Sequence, residues 1–335
     1  MKLVCRQMNL RVAWRCRLAL ATAVIAGACT QTLDAGHNHP SGLLPVDQRN
    51  PLILLNDGAY DNWSGEYAIL LANGGGSPLA EIIVDENVDW PDIQTNVGGY
   101  RKLVAAAIAS GMKNLPDPIA SIGAPLVKPA SGKIKETQAN RSEGALRIVA
   151  TSSKLGSAYL PVVIATGGAL TDVADAYLVD PTVVERVVVV SSLGSATSTG
   201  GGMGKPNGNN DPWADFIVAS TFRYVQVSAW YDQLTDVPAS SVPQLPNNAL
   251  GAWMAAKQPN LWTWSPASDQ VAVLAVGLPS FATAIQRVSP TGSVDGAATT
   301  GPDLTTDQTG SGWLVTGCDG MAATTRFWEI LLGKI

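Results

Sequence analysis

Within one short stretch the chain places Asn56, Asp57, Asp61 and Asn62, two carboxylates and two carboxamides. Clustered Asp and Asn oxygens on a turn suit a hard cation such as calcium. The residues around them say how they are held. Leu52 to Leu55 is apolar throughout and short, as expected of a strand buried on both faces. Beyond the polar knot, Tyr67, Ile69, Leu70 and Leu71 recur at roughly helical spacing. The knot therefore lies at the C-terminal end of a strand, on the turn into a helix, the edge at which open α/β sheets bind ligands. The plainer reading is that Asp57 and Asp61 only make Asx turns.

Similar strand-turn-helix units follow. Leu79–Val84 reads as a second strand and runs into Asp85-Glu86-Asn87-Val88-Asp89-Trp90. Residues 91–112 read as a helix with Pro91 in its first turn. Residues 125–142 carry Lys128, Lys133, Lys135 and Arg141 and read as a flexible surface loop, with a lid over a pocket as the sharper reading. Residues 144–153 form another element, helix or strand. Pro161 to Ala174 is a β-rich run, a Gly-Gly turn and a helix start at Thr171. Val187–Val190 is a β-branched run suited to a buried parallel strand. Residues 195–210 have loop composition. At 267–276 Asp269 opens an apolar helix, where an N-cap is its ordinary role.

The whole chain sets limits. Its 335 residues with 46% hydrophobic content allow a substantial core. A net charge of -5 gives no reason to expect nucleic acid or an anionic membrane as partner. Residues 1–17 carry five basic residues and no acid, 18–28 are apolar, and Ala26-Gly27-Ala28 precedes Cys29. That is a secretory signal over 1–28, too short for a comfortable span. Cys29 sits where a bacterial lipoprotein carries its lipid, with Ala26 in place of the usual Leu; a plain cut releasing a soluble protein is the alternative. The expected product is exported, either periplasmic or a membrane-anchored lipoprotein, touching a membrane only through Cys29. Residues 29–50 read as a flexible tether and 51–335 as one domain. With Cys5 and Cys16 lost with the signal and Cys29 lipidated, Cys318 has no intramolecular partner and reads as a small buried hydrophobe. His37 and His39, the chain's two histidines, make at most a weak metal site in the tether.

Taken in order, these segments resemble the nucleoside hydrolase family of the inosine-uridine-preferring type. The family opens with a buried strand and Asp-x-Asp-Pro-Gly-x-Asp-Asp. The matching run is Leu55-Asn56-Asp57-Gly58-Ala59-Tyr60-Asp61-Asn62, which keeps the second and third Asp and replaces the first and fourth by Leu55 and Asn62. Asn87 falls on the Asn that follows the second strand, with Glu86 at the preceding Gly, and Asn96 on a helical Asn. Thr171 falls on a Thr that gives calcium its main-chain carbonyl. Asn209 and Asp215 fall on a sugar-contacting Asn and Glu, and Ile217 on an Asn that closes the same segment. Asp269 falls on an Asp that binds calcium and ribose hydroxyls, with Ser268 at a His that helps the base leave. The resemblance spans about residues 51–333.

It implies an α/β fold with an open, mostly parallel Rossmann-like sheet flanked by helices. It also implies hydrolysis of the N-glycosidic bond of ribonucleosides, or of a related N-riboside, to ribose and free base. The transition state has oxocarbenium character; calcium orients the attacking water, and Asp57 takes its proton. By the same resemblance Asp61, Asn87, Asn209, Asp215 and Asp269 bind substrate, and Asp57, Asn62, Thr171 and Asp269 hold Ca2+. With no histidine in the fold region, Trp63, Trp90, Trp213, Trp262 and Trp264 are candidates for stacking on a purine, consistent with purine salvage; two at most are expected at the pocket. Asn62, Ser268 and Ile217 instead favour a second reading, a catalytically impaired nucleoside- or ribose-binding lipoprotein. The oligomeric state is open, a homo-oligomer included.

Overall fold

A computed structural model describes residues 44–58, 63–86, 91–194, 207–229, 239–257, 269–291 and 301–333. All of these lie within one compact unit, His39–Ile335. The signal, Cys29 and both histidines lie outside the described residues, as do Asp61, Asn62 and Asn87.

Nine strands form one sheet: β1 (Leu52–Asn56), β2 (Leu79–Val84), β3 (Ile119–Ala120), β4 (Val162–Thr166), β5 (Val187–Ser192), β6 (Arg223–Val227), β7 (Ala282–Thr291), β8 (Asp303–Thr306) and β9 (Gly312–Cys318). Their spatial order is β3-β2-β1-β4-β5-β6-β9-β7-β8. The pairs from β3 through to β9 are parallel, and β7 pairs antiparallel with both β9 and β8. The expected mostly parallel α/β sheet is therefore present, extended by an antiparallel edge. Successive strands run outward from β1 in one direction and from β4 in the other. The order reverses between these two, and a doubly wound sheet offers its ligand crevice there.

The helices are α1 (Trp63–Asn73), α2 (Ile93–Ala109), α3 (Glu143–Leu155), α4 (Thr171–Val179), α5 (Pro212–Thr221), α6 (Ala249–Lys257), α7 (Gln270–Gly277) and α8 (Gly320–Leu331). They cover both faces, which is why the central strands β1, β4 and β5 open with unbroken apolar runs rather than alternating. Leu52 and Leu54 point into one core with α1, α2, α6, α7 and α8. Ile53 and Leu55 point into a second core with α3, α4 and α5. Among the described residues no helix is long and apolar enough to cross a membrane.

Three expectations change. The tether does not extend to residue 50: Leu44 and Val46 pack in the first core, and the buried Asn50 donates from its amide to the Pro161 carbonyl at 2.8 Å. The polar segment 125–142 is a pinned strap rather than a flexible loop. The Leu126 amide donates to Asp211 at 2.8 Å, the Asn140 amide to Asp175 at 2.8 Å, and the Asn140 side chain to the Ala124 carbonyl at 2.6 Å. Cys318 is half-buried against the core rather than enclosed. Smaller differences concern elements: residues 143–155 are helical, and Pro91 precedes the cap of α2, which is Asp92 accepting from Thr95 N at 3.1 Å.

Candidate functional site

At the C-terminal edge the loops after β1, β2, β4, β5 and β6 bring polar side chains together. β1 runs one residue further than its apolar stretch, so Asn56 is its last residue and is fully buried. The Asn56 side-chain oxygen accepts from the Tyr100 hydroxyl at 2.7 Å and from Gly58 N at 3.1 Å. Its amide donates to Asp269 Oδ2 at 3.2 Å. The other Asp269 oxygen accepts from the Asn207 amide at 3.1 Å, which also donates to the Ser192 carbonyl at 3.0 Å. Asp269 stands at the head of α7 yet makes no side-chain capping bond. Its carboxylate is directed by two carboxamides instead, so the ordinary N-cap reading does not describe it.

The turn after β4 brings the main chain close to this cluster. A Cβ on Gly167 would lie 2.2 Å from Asp269 Cβ and 2.7 Å from Asn56 Nδ2. One on Gly168 would lie 3.0 Å from both Asp57 Cβ and Asp85 Oδ1. Only glycine lets this turn approach so closely. Gly167 thus packs against Asp269 and Asn56, and Gly168 against Asp57 and Asp85. This is the β1/β4 reversal point.

Thr171 opens α4, and its hydroxyl donates to Asp211 Oδ2 at 2.8 Å. Asp211 caps α5, accepting from Ala214 N at 3.0 Å. Asp215 is fully buried in the first turn of α5, beside Gly208, whose Cβ would lie 2.4 Å from its Oδ2. Burial, and then the charge of Asp215, hold the Tyr224 hydroxyl well above its usual range. Asn209 is half-buried, and its side-chain oxygen has no hydrogen-bond partner among the described residues. Ile217 is fully enclosed in the second core. Trp213 is also buried there, its ring stacked on Phe216 at 5.2 Å and its N–H donating to Thr137 at 3.0 Å. It is therefore a core residue and not a stacking platform. Trp90, Trp262 and Trp264 lie outside the described residues.

The sequence pointed to Asn56 only as one oxygen of the polar knot, and gave no role to Tyr100, Asn207 or Asp85. Asp85 directly follows β2 and is 4% exposed. Its own amide donates to the Asn56 carbonyl at 3.1 Å, and the Asn96 amide reaches its main-chain carbonyl at 3.4 Å. The signal available in the sequence was its place at a strand end ahead of an acidic run.

The electrostatics of this edge are one-sided. Among the described residues, Asp57, Glu66, Asp85, Asp172, Asp175, Asp211, Asp215 and Asp269 are buried, and no Lys, Arg or His is. Part of this charge is answered locally. Asp172 accepts from Ser121 at 3.0 Å and Ser142 at 2.6 Å, and Asp175 from two main-chain amides and Ser142. Acids in first helical turns also meet favourable dipoles. Burial still pushes the carboxyls of Asp172 and Asp211 up, against those hydrogen bonds. It pushes Asp85 up further, with the charges of Asp57 and Asp172 adding to the effect.

This donor set, all hard oxygen with excess negative charge, fits a calcium-type cation. No three Asp, Glu, His or Cys side chains among the described residues form a ready-made cage. Main-chain carbonyls and residues 61–62 would therefore have to complete one.

The raised carboxyls set the sign of a pH effect. Folded values above the unfolded ones mean that stability is full below about pH 4 and is lost as pH rises through the folded values. The calcium-free protein should then show a higher urea midpoint at about pH 5 than at about pH 7.5. A midpoint that climbs over that interval would show these carboxyls to be compensated in the fold.

The fold and this edge define a class: a doubly wound α/β protein with a buried acidic site at the point where the strand order reverses. Solved structures place it more closely. An inosine-guanosine nucleoside hydrolase superposes with a TM-score of 0.60 at 18% identity, over 84% of this chain and 98% of that one. A plant nucleoside hydrolase gives 0.55 at 14%, over 84% and 98%. The inosine-uridine preferring nucleoside hydrolase of Bacillus anthracis gives 0.54 at 15%, over 85% and 98%. No protein-family model and no curated protein matches the chain. The chain has the nucleoside hydrolase fold.

Proposed function

We propose that the protein is a hydrolase of ribonucleosides, or of a related N-riboside, releasing ribose and free base. The observation that carries the reading is the placement of Asp57. It follows β1 at the reversal point and is buried, one residue after the Asn56 whose amide, with that of Asn207, holds Asp269 away from its capping position. In this reading Asp57 takes a proton from the attacking water, in a site whose neighbours are already acids. Asp269 and Asp61 grip the ribose hydroxyls, with Asn87, Asn209 and Asp215 as further sugar contacts. Asp57, Asp269, Asn62 and the Thr171 carbonyl hold calcium, which when bound orients water and makes it more acidic. We place the protein outside the cytoplasm, carried by the signal over 1–28, soluble or anchored through lipid on Cys29.

A second reading, binding without turnover, is favoured by one specific observation. Ile217 is sealed in the core and makes no sugar contact. Ribose release from a panel of purine and pyrimidine ribonucleosides, with calcium and with a chelator, separates the two. Calcium-dependent release supports the hydrolase and identifies the base it prefers. Ligand-induced stabilisation without release supports the binding protein. Asn62→Asp adds a charged donor; it is expected to tighten calcium and raise turnover. An unchanged calcium affinity in that variant would remove residue 62 from the metal set.

A further inference from the structure

We infer that Asp85 is a ligand of the cation held at this site and supplies the charge that Asn62, an amide, does not. This rests on the reading of the site as a cation site, and it adds to it a residue that the family resemblance does not provide.

Three observations converge on Asp85. It is 4% exposed, and its Oδ1 has no hydrogen-bond partner among the described residues. That oxygen is not buried at random. It lies 3.0 Å from the place where a Cβ on Gly168 would stand, and Asp57 Cβ lies 3.0 Å from the same place. The two side chains thus meet at one point, the end of β1 and β2, both packed closely against Gly168, a residue without a side chain. The backbone of Asp85 is held too. Its amide is tied to Asn56 and its carbonyl to Asn96, so the side chain is aimed rather than adaptable.

The surroundings leave few ways to offset this oxygen. Of the neighbouring carboxylates, Asp175 has its main-chain amides, Asp211 its cap and strap, and Asp269 its carboxamides. Asp172 has two serines on Oδ1 but, like Asp85, one oxygen without a partner among the described residues, and Asp85 differs from it in standing with Asp57 against Gly168. No basic side chain is buried among the described residues. A buried carboxylate oxygen without donor or base is unfavourable as a charge. A divalent cation against Asp57 and Asp85 removes that cost and uses both groups in the way hard cations use carboxylates. Asp85 comes from a different strand than Asp57, so the cation would also tie the ends of β1 and β2 together.

The test is calcium titration by calorimetry on chelator-dialysed protein, with melting curves in chelator and in calcium. The wild type, Asp85→Asn and a control, Asp319→Asn at the cap of α8, are compared. We expect Asp85→Asn to bind calcium at least about tenfold more weakly, to melt no lower than wild type in chelator, and to gain much less from calcium. The control should match wild type in its calcium response. If Asp85→Asn binds calcium within about twofold of wild type, Asp85 is not a ligand, and the hydrolase reading stands untouched. If the wild type itself shows neither heat nor a melting shift with calcium, both the ligand role and the cation site fall. Should Asp85→Asn not fold, Asp85→Ser is measured in the same way. Failure of both variants to fold in chelator would mean that the carboxylate serves the fold without a cation, and would overturn the inference.

Discussion

Asp57→Ala is expected to lower ribose release by at least about 10³-fold while leaving the fold intact. The estimate combines loss of a general base, which alone contributes about 10²–10⁴-fold, with loss of a charged cation donor. Asp57 follows the last residue of β1, and its neighbour in the turn after β4 is Gly168. Truncating the side chain therefore removes a group from a space that other elements define, and the melting temperature in chelator should be nearly unchanged. Turnover that survives the substitution would remove the base role from Asp57. Lost turnover together with a collapsed melting curve would instead mark it as a structural residue.

Gly167→Ala should damage the same site without touching any acid. The added methyl would stand 2.2 Å from Asp269 Cβ, 2.4 Å from its Cγ and 2.7 Å from Asn56 Nδ2. Real Cβ atoms do not come that close, so either Asp269 or the turn must move. Overpacking of this kind costs about 1–3 kcal/mol. A displacement of about 1 Å in a positioning group can cost about 10²-fold in rate. The expected result is a urea midpoint lowered by that energy and kcat/KM lowered by about 10²-fold or more. Gly98→Ala is the matching control: its Cβ meets nothing within 4 Å, and it lies inside α2, where Ala is favoured over Gly by about 1 kcal/mol. A Gly167→Ala protein as active as the control would show that Asp269 does not need its present position.

How much of this could be read from the chain varies by element. The four-residue apolar run ending in polar residues placed β1 and put Asp57 at its C-terminal end, because a strand buried on both faces leaves a plain signature. Asn56 was read as turn rather than strand, since a buried carboxamide at a strand end has no local pattern; its partners Tyr100, Asp269 and Gly58 mostly come from far along the chain. Asp85 was visible only as one acid in an acidic run. What singles it out is Gly168, contributed by another strand. The strap over 125–142 looked mobile because its composition is polar and basic, while the groups that pin it are main-chain amides that composition does not reveal. Leu44 and Val46 were lost among loop-forming neighbours, although the core takes both. β7 was not foreseen: its burial is irregular, and its partners β8 and β9 follow it in the chain.

The pinned strap has a consequence for how the protein would meet a ligand. Asp211 receives the Leu126 amide from the strap and the Thr171 hydroxyl from the head of α4, and it caps α5 as well. Three separate segments share one carboxylate. A wall built in this way is already set before anything binds, so recognition against it forfeits little chain freedom. The strap is better understood as masonry than as a door. Its opening would require buried hydrogen bonds to break.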